Sequence, residues 1–283
     1  MKNITVLGAG IMGRGIAHVS CFGGFQTILY DISEEMLESA SAGIQKNYDK
    51  AVEKNLLSEE QAKEAVSRLI LKQDLQEAVS EADFVIEAVP EKIDLKVELY
   101  SQLDKLCKPE TIFASNTSSL SITEMAAATE RPQQFIGMHF FNPVHIMKLV
   151  EIVKGLETSE ETIAATKAVG EKMGKETVTI KESPGFITSR INAMIGNEAF
   201  YMLQEGIATA EEIDKALKLG LNHPMGPFEM VDLVGLDTRL SILKFLHQTL
   251  GEKYRPCPLL EQYVRAGRLG RKTGKGVYDY TKK

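Results

Sequence analysis

Hydrophobic positions over the first two thirds of the chain alternate between two spacings. Short, nearly continuous apolar runs with β-branched residues mark buried strands, and recurrences at three and four residues mark helices. The run Ile4-Thr5-Val6-Leu7 predicts a strand, and a helical stretch over residues 11–22 follows it. A second strand is predicted over residues 26–30. A long helix comes next, because Met36, Leu37, Ala40, Ile44, Tyr48, Ala51 and Val52 recur at helical spacing. Ser33 is placed to cap that helix, with Glu34 and Glu35 suiting its positive end. Residues 58–68 form a further predicted helix, in which Ser58 and Gln61 have the spacing of a capping box.

The alternation continues. Strands are predicted over residues 69–71, over 83–91 with a break at Pro90, over 111–114 and over 135–139, with a helix over about 94–106. Two more strands, 148–152 and 177–180, flank a helix over 159–173. After the Ser183-Pro184-Gly185 turn the strands stop. Helices are predicted over 187–204, 210–219 and 228–250, with a shorter one near 259–264. This order calls for an α/β domain with a parallel, doubly wound sheet over residues 1–183, then an all-α domain over 184–283.

The first strand runs into Gly8-Ala9-Gly10-Ile11-Met12-Gly13, a Gly-x-Gly-x-x-Gly turn opening a helix. Gly8 permits the sharp turn, Gly10 leaves room for a pyrophosphate, and Gly13 lets helix and strand approach. The helix start offers unpaired N–H groups to the phosphates. Three glycines alone also fit a purely structural turn. Their position after a strand, with Asp31 closing the second strand where a ribose-binding carboxylate belongs, points to dinucleotide binding. Asp31 further favours NAD over NADP, since a carboxylate accepts from ribose hydroxyls and repels a 2′-phosphate. The glycine turn, Asp31, Glu91, the Ser115–Ser119 loop and His139 all fall at strand ends, and so should share one edge of the sheet.

Composition narrows the class. At 283 residues, 43% of them hydrophobic, the chain can bury a sizeable core. A net charge of −6 argues against a general nucleic-acid or membrane-surface binder. Cys21, Cys107 and Cys257 are far apart and lack metal-ligand spacing, as expected of reduced thiols in a cytoplasmic protein. No apolar run is long enough to span a bilayer, and a strand begins too early for a signal peptide. Lys46, Lys50 and Lys54 form a basic stripe on one helix face, open to two readings: a solvated surface or a clamp for a substrate phosphate. Of five histidines, only His139 ends an apolar strand at the presumed cofactor edge. Imidazole is suited to moving a hydroxyl proton near neutral pH.

The motifs together resemble the L-3-hydroxyacyl-CoA dehydrogenase family, particularly its bacterial 3-hydroxybutyryl-CoA members. They are Gly-Ala-Gly-Ile-Met-Gly (8–13), Ala-Ser-Asn-Thr-Ser-Ser-Leu (114–120), Gly-Met-His-Phe-Phe-Asn-Pro (137–143) and Met-Lys-Leu-Val-Glu (147–151). Pro-Gly-Phe (184–186), His-Pro-Met-Gly-Pro (223–227) and Gly-Arg-Lys-Thr-Gly-Lys-Gly (270–276) extend the match to nearly the whole chain. The resemblance implies a Rossmann-type NAD-binding domain and a helical substrate and dimerisation domain, usually in a homodimer. The implied reaction interconverts an (S)-3-hydroxyacyl-CoA and a 3-ketoacyl-CoA.

It also implies roles. His139 is the acid/base, Glu151 its orienting carboxylate, and Ser118 a holder of the substrate oxygen. Asp31, Glu91, Lys96, Ser118, Asn142 and Lys272 match positions at or near the NAD, beside Gly8, Gly10, Ile11, Met12 and Gly13 of the turn. Asn47 and Lys54 match positions that contact CoA, with Lys50 between them on the same face. One position departs from the pattern: Ser189 stands where many members carry an asparagine that positions the substrate carbonyl. Either Ser189 acts through a water, or Asn192 or Asn197 approaches from the same helix. Two other functions are weighed. One is a dehydrogenase of a non-CoA hydroxy acid; the β-hydroxyacid type needs a lysine on the helix over 187–204, which has none. The other is an NAD-binding protein without activity, which could dispense with His139 and Glu151.

Overall fold

The structure, a computed structural model, describes residues 1–281. It divides into two units, Met1–Glu182 and Ser183–Lys283. The first is built on one eight-stranded sheet: β1 (Asn3–Leu7), β2 (Gln26–Tyr30), β3 (Leu69–Lys72), β4 (Phe84–Glu87), β5 (Ile112–Ser115), β6 (Phe135–Phe140), β7 (Leu149–Lys154) and β8 (Glu176–Lys181). Their spatial order is β3-β2-β1-β4-β5-β6-β7-β8. The helices are α1 (Ile11–Phe22), α2 (Glu34–Glu53), α3 (Glu59–Ser67), α4 (Leu75–Val79), α5 (Ile93–Leu106), α6 (Ile122–Ala126) and α7 (Glu160–Lys172). Chain order reverses its direction of travel across the sheet at β1/β4, which is where such sheets bind ligands beyond their carboxyl ends.

Local capping chemistry accounts for where the helices begin. Ser33 accepts from the Met36 N–H, and Ser58 and Gln61 complete the capping box on α3. The five-residue helices α4 and α6, capped by Asp74 and Ser121, were not anticipated because they are too short to show a period. The fourth strand is also shorter than the predicted 83–91, stopping at Glu87.

The predicted all-parallel sheet needs one correction. β6 and β7 pair antiparallel, while every other pair is parallel. The cause lies in the connection: residues 141–148 contain no crossover helix, and a short link returns the chain beside its own strand in the opposite sense.

The second unit contains α8 (Thr188–Gln204), α9 (Ala210–Gly220), α10 (Pro227–Val234), α11 (Leu236–Leu250) and α12 (Pro258–Arg265) around Phe200, Phe228, Leu236, Leu243 and Leu246. The single helix predicted over 228–250 is two. Gly235 between them has φ of 105°, a conformation other residues rarely adopt, and it breaks the hydrogen-bond ladder although the apolar pattern runs on.

Candidate active site

The glycine turn is closed against its own backbone at two points and open at the third. A Cβ on Gly8, where φ is 96°, would lie 2.8 Å from the Ala88 carbonyl oxygen. One on Gly13 would fall 1.7 Å from the Gly8 oxygen, so helix and strand meet only because both residues are glycine. A Cβ on Gly10 would meet no atom within 4 Å. That small residue serves no internal packing, and the space beside it suits a pyrophosphate. Ile11 and Met12 start α1, which has no side-chain cap, so its first N–H groups remain available to an anion. Asp31 is tied to the turn: its Oδ2 accepts from the Ala9 N–H at 2.7 Å and its Oδ1 from the Ser33 N–H at 3.0 Å.

Beside the turn lies a cleft of about 350 Å³. Met12, Ala88 and Val89 line one part, Glu91, Lys96, Asn116 and Ser118 another, and His139 with residues 140–142 a third. All but Lys96, which comes from α5, lie at or just beyond the ends of β1, β4, β5 and β6, so the expected common edge is present. Glu91 Oε1 accepts from the Thr117 hydroxyl at 2.5 Å and the Ser118 N–H at 3.0 Å, while its Oε2 meets Lys96 Nζ at 2.8 Å. Burial alone would raise the Glu91 pKa. The Lys96 charge and these hydrogen bonds outweigh it and hold the carboxyl below its ordinary value. Asn116 Oδ1 accepts from the Phe140 N–H at 2.9 Å, joining the β5 loop to the end of β6.

His139 and Glu151 face each other directly across the antiparallel β6–β7 pair. Their spacing in sequence therefore measures a turn back along the neighbouring strand. Glu151 is wholly buried and His139 is 7% exposed. His139 Nδ1 lies 2.8 Å from Glu151 Oε2, and the Phe141 ring centroid is 4.6 Å from the imidazole. A carboxylate at Nδ1 fixes the orientation of the ring, as an imidazole that moves a proton requires.

On α2, Asn47 and Lys50 lie on one face, with Gly43 one turn before Asn47 and Lys54 the C-cap residue just past the helix end. A Cβ on Gly43 would meet the Arg14 side chain at 2.9 Å, so Arg14 from α1 lies across the same face. His145 is close enough that burial, and after it the charges of Lys175, Arg14 and Lys50, lower its pKa. This positive cluster stands on a protein of net charge −6.

Ser189 and Lys272 belong to the helical unit. Ser189 is the second residue of α8 and half-buried. Lys272 Nζ is held by Asp237 at 2.6 Å. Asn197 is withdrawn as a replacement for the family asparagine: its Nδ2 donates to the Arg255 carbonyl and its Oδ1 accepts from the Cys257 N–H, at 2.9 and 2.8 Å. Sequence inspection also passed over Arg14, Glu87, Asn116 and Phe141. Asn116 and Phe141 lie inside the quoted motifs and Glu87 ends a predicted strand, so a search of every strand end would have found those three. Among the described residues, no group of His, Cys, Asp or Glu could hold a metal, and no helix is long and apolar enough to cross a membrane.

A cleft of this kind, opening beside a dinucleotide turn, belongs to an NAD-dependent oxidoreductase. Family comparison makes the class specific. The model described as the 3-hydroxyacyl-CoA dehydrogenase NAD binding domain matches residues 3–183, and that of the C-terminal domain matches residues 185–280. The chain belongs to the 3-hydroxyacyl-CoA dehydrogenase family, with a Rossmann-type domain followed by an all-α domain, and its cofactor is NAD. It is 50% identical to a probable 3-hydroxybutyryl-CoA dehydrogenase of Bacillus subtilis, aligning all of this chain with 99% of that protein. It is 40% identical to human mitochondrial hydroxyacyl-coenzyme A dehydrogenase, over 99% of this chain and 91% of the human one. The crystal structure of (S)-3-hydroxybutyryl-CoA dehydrogenase PaaH1 from Ralstonia eutropha superposes with a TM-score of 0.97 at 43% identity, covering all of both chains.

Proposed function

We propose that this protein interconverts short-chain (S)-3-hydroxyacyl-CoA and 3-ketoacyl-CoA thioesters, with (S)-3-hydroxybutyryl-CoA and acetoacetyl-CoA as the main pair. The carrying observation is the buried His139–Glu151 pair on the cleft beside the glycine turn. In the oxidising direction His139 Nε2 takes the proton of the 3-hydroxyl as the C3–H bond breaks and the carbonyl forms. In reduction the same nitrogen returns that proton to the 3-oxygen. The turn residues 8–13 with Asp31, Glu91, Lys96, Asn142 and Lys272 would hold NAD, whose nicotinamide would supply the hydride chemistry. Glu151 stabilises the imidazolium and keeps Nε2 directed at the oxygen. Ser118 holds that oxygen, and Ser189 stands where many family members carry the asparagine that positions the substrate carbonyl.

The CoA portion is assigned to the face of α2. Asn47, Lys50 and Lys54 offer a phosphate-binding stripe, and Arg14 adds a guanidinium able to grip a phosphate with two N–H groups. The helical unit is assigned to dimerisation. The three cysteines are buried and unpaired, which fits a reducing, cytoplasmic setting.

Consumption of NADH with acetoacetyl-CoA, against free acetoacetate as the control, tests the assignment. Turnover with the thioester and none with the free acid is expected. His139→Ala should lower turnover by about 10²–10⁴-fold while NADH still binds. Equal use of the free acid, or near wild-type turnover by the variant, would overturn it.

A further inference from the structure

A second carboxylate lies under the cleft with no assigned role. Glu87, the last residue of β4, is wholly buried. Its Oε1 accepts from the Val89 N–H at 2.8 Å and from Lys96 Nζ at 2.9 Å, and its Oε2 accepts from the Ser115 hydroxyl at 2.6 Å. Every close partner donates, as a carboxylate requires. Lys96 is itself 1% exposed and divides its ammonium between Glu87 and the cleft-lining Glu91. A second arm runs through Ser115, whose oxygen accepts from the Thr117 N–H at 3.2 Å. Both arms thus end in the loop that carries Ser118.

Lys96 needs only one carboxylate to balance its charge, and Glu91 already provides it. Glu87 could be replaced by a neutral acceptor without leaving a buried ammonium unpaired. Its ionisation therefore has an effect besides holding Lys96: two carboxylates and one ammonium leave this wall of the cleft with one net negative charge. The nicotinamide ring is cationic in NAD+ and neutral in NADH, so such a charge distinguishes the two. We propose that Glu87 is a positioning residue that orients Lys96 and the Ser115–Ser118 loop, and that its charge raises the cleft's affinity for NAD+ relative to NADH. At an effective dielectric of about 20, one unit charge on this wall alters that ratio on the order of tenfold.

Cofactor binding without any thioester provides the test, so the outcome is independent of the acyl substrate. NADH affinity is read by its fluorescence and NAD+ affinity by displacement. Glu87→Gln, whose amide can still accept from Lys96 and donate to Ser115, should weaken NAD+ relative to NADH by about tenfold. Lys96→Gln should shift the ratio the opposite way, and the charge-balanced double variant should return it to within about threefold of wild type. A purely structural Glu87 would weaken both cofactors alike and leave the double variant no better than the worse single one. Either result overturns the proposal, as does a Lys96→Gln shift in the same sense as Glu87→Gln. If Glu87→Gln does not fold, the double variant decides: a ratio within about threefold of wild type supports the proposal, and one as far shifted as in Lys96→Gln alone overturns it.

Discussion

Glu151→Gln isolates charge from shape at the catalytic pair. Glutamine fits the cavity under His139, and its oxygen can still accept from Nδ1, so ring orientation survives while the negative charge is lost. The interaction at stake is close and dry: Nδ1 and Oε2 are 2.8 Å apart, with Glu151 wholly buried and His139 7% exposed. Because both charges are delocalised, their centres are about 4 Å apart. At an effective dielectric of about 20 such a pair interacts by about 4 kcal/mol. The neutral hydrogen bond that replaces it returns about 1 kcal/mol. The difference, about 3 kcal/mol, is felt wherever the imidazolium exists, including the transition state in which the proton is shared. Turnover should therefore fall by about 100-fold. Steady-state rates with acetoacetyl-CoA and NADH measure kcat, and fluorescence titration measures NADH affinity, which should stay within about twofold because Glu151 does not line the cofactor turn. An unchanged kcat, or a loss confined to cofactor affinity, would refute the pairing as the source of proton-transfer power.

Three further outcomes follow from named contacts. Asp31 is fixed by the N–H groups of Ala9 in the turn and of Ser33 at the start of α2, so NADPH should be used with kcat/KM at least about 100-fold below NADH, like charges in contact costing several kcal/mol; comparable rates with both would sink the assignment. Arg14→Gln should raise the KM for acetoacetyl-CoA about fivefold and make it less salt-dependent, yet leave an N-acetylcysteamine thioester, which has no phosphate, unaffected. His18 is buried, and its pKa is pulled from 6.5 to about 4 by burial first and then by the neighbouring His145 and Lys175 charges. Between those values the unfolded chain binds a proton that the folded one refuses. Its contribution is thus full above pH 6.5 and is lost as pH falls toward 4, by up to about 3 kcal/mol. Urea unfolding at pH 7 and 4.5 should show His18→Gln to be about 2 kcal/mol less acid-sensitive than wild type; parallel pH profiles would exclude the ring as a source.

How much could be read beforehand depends on how far apart the interacting groups lie. The limits of α1 and β2, the Ser33 cap and the Ser58/Gln61 box all follow from neighbours within a few residues, and the structure has them as expected. The two-part helix over 227–250 was missed although its cause, Gly235, is local. Apolar periodicity continues through the break, and only the backbone shows the positive φ. The direction of β7 was missed because an apolar strand reads the same in both senses. Its reversal places Glu151 opposite His139.

By itself the sequence determined the strand–turn–helix that begins the cofactor site, the order of sheet and helices, and the histidine and acid available for proton transfer. Glycine conformations, caps and hydrophobic periods act over distances the chain itself specifies. Only the tertiary structure decided which charges meet: Glu87 with Lys96 from β4 and α5, His139 with Glu151 from adjacent strands, Arg14 across the face of α2. A carboxylate's effect depends on its burial and on the ion beside it. Both are decided by which elements pack together, because pairing and desolvation arise only when separate segments exclude water from the same place.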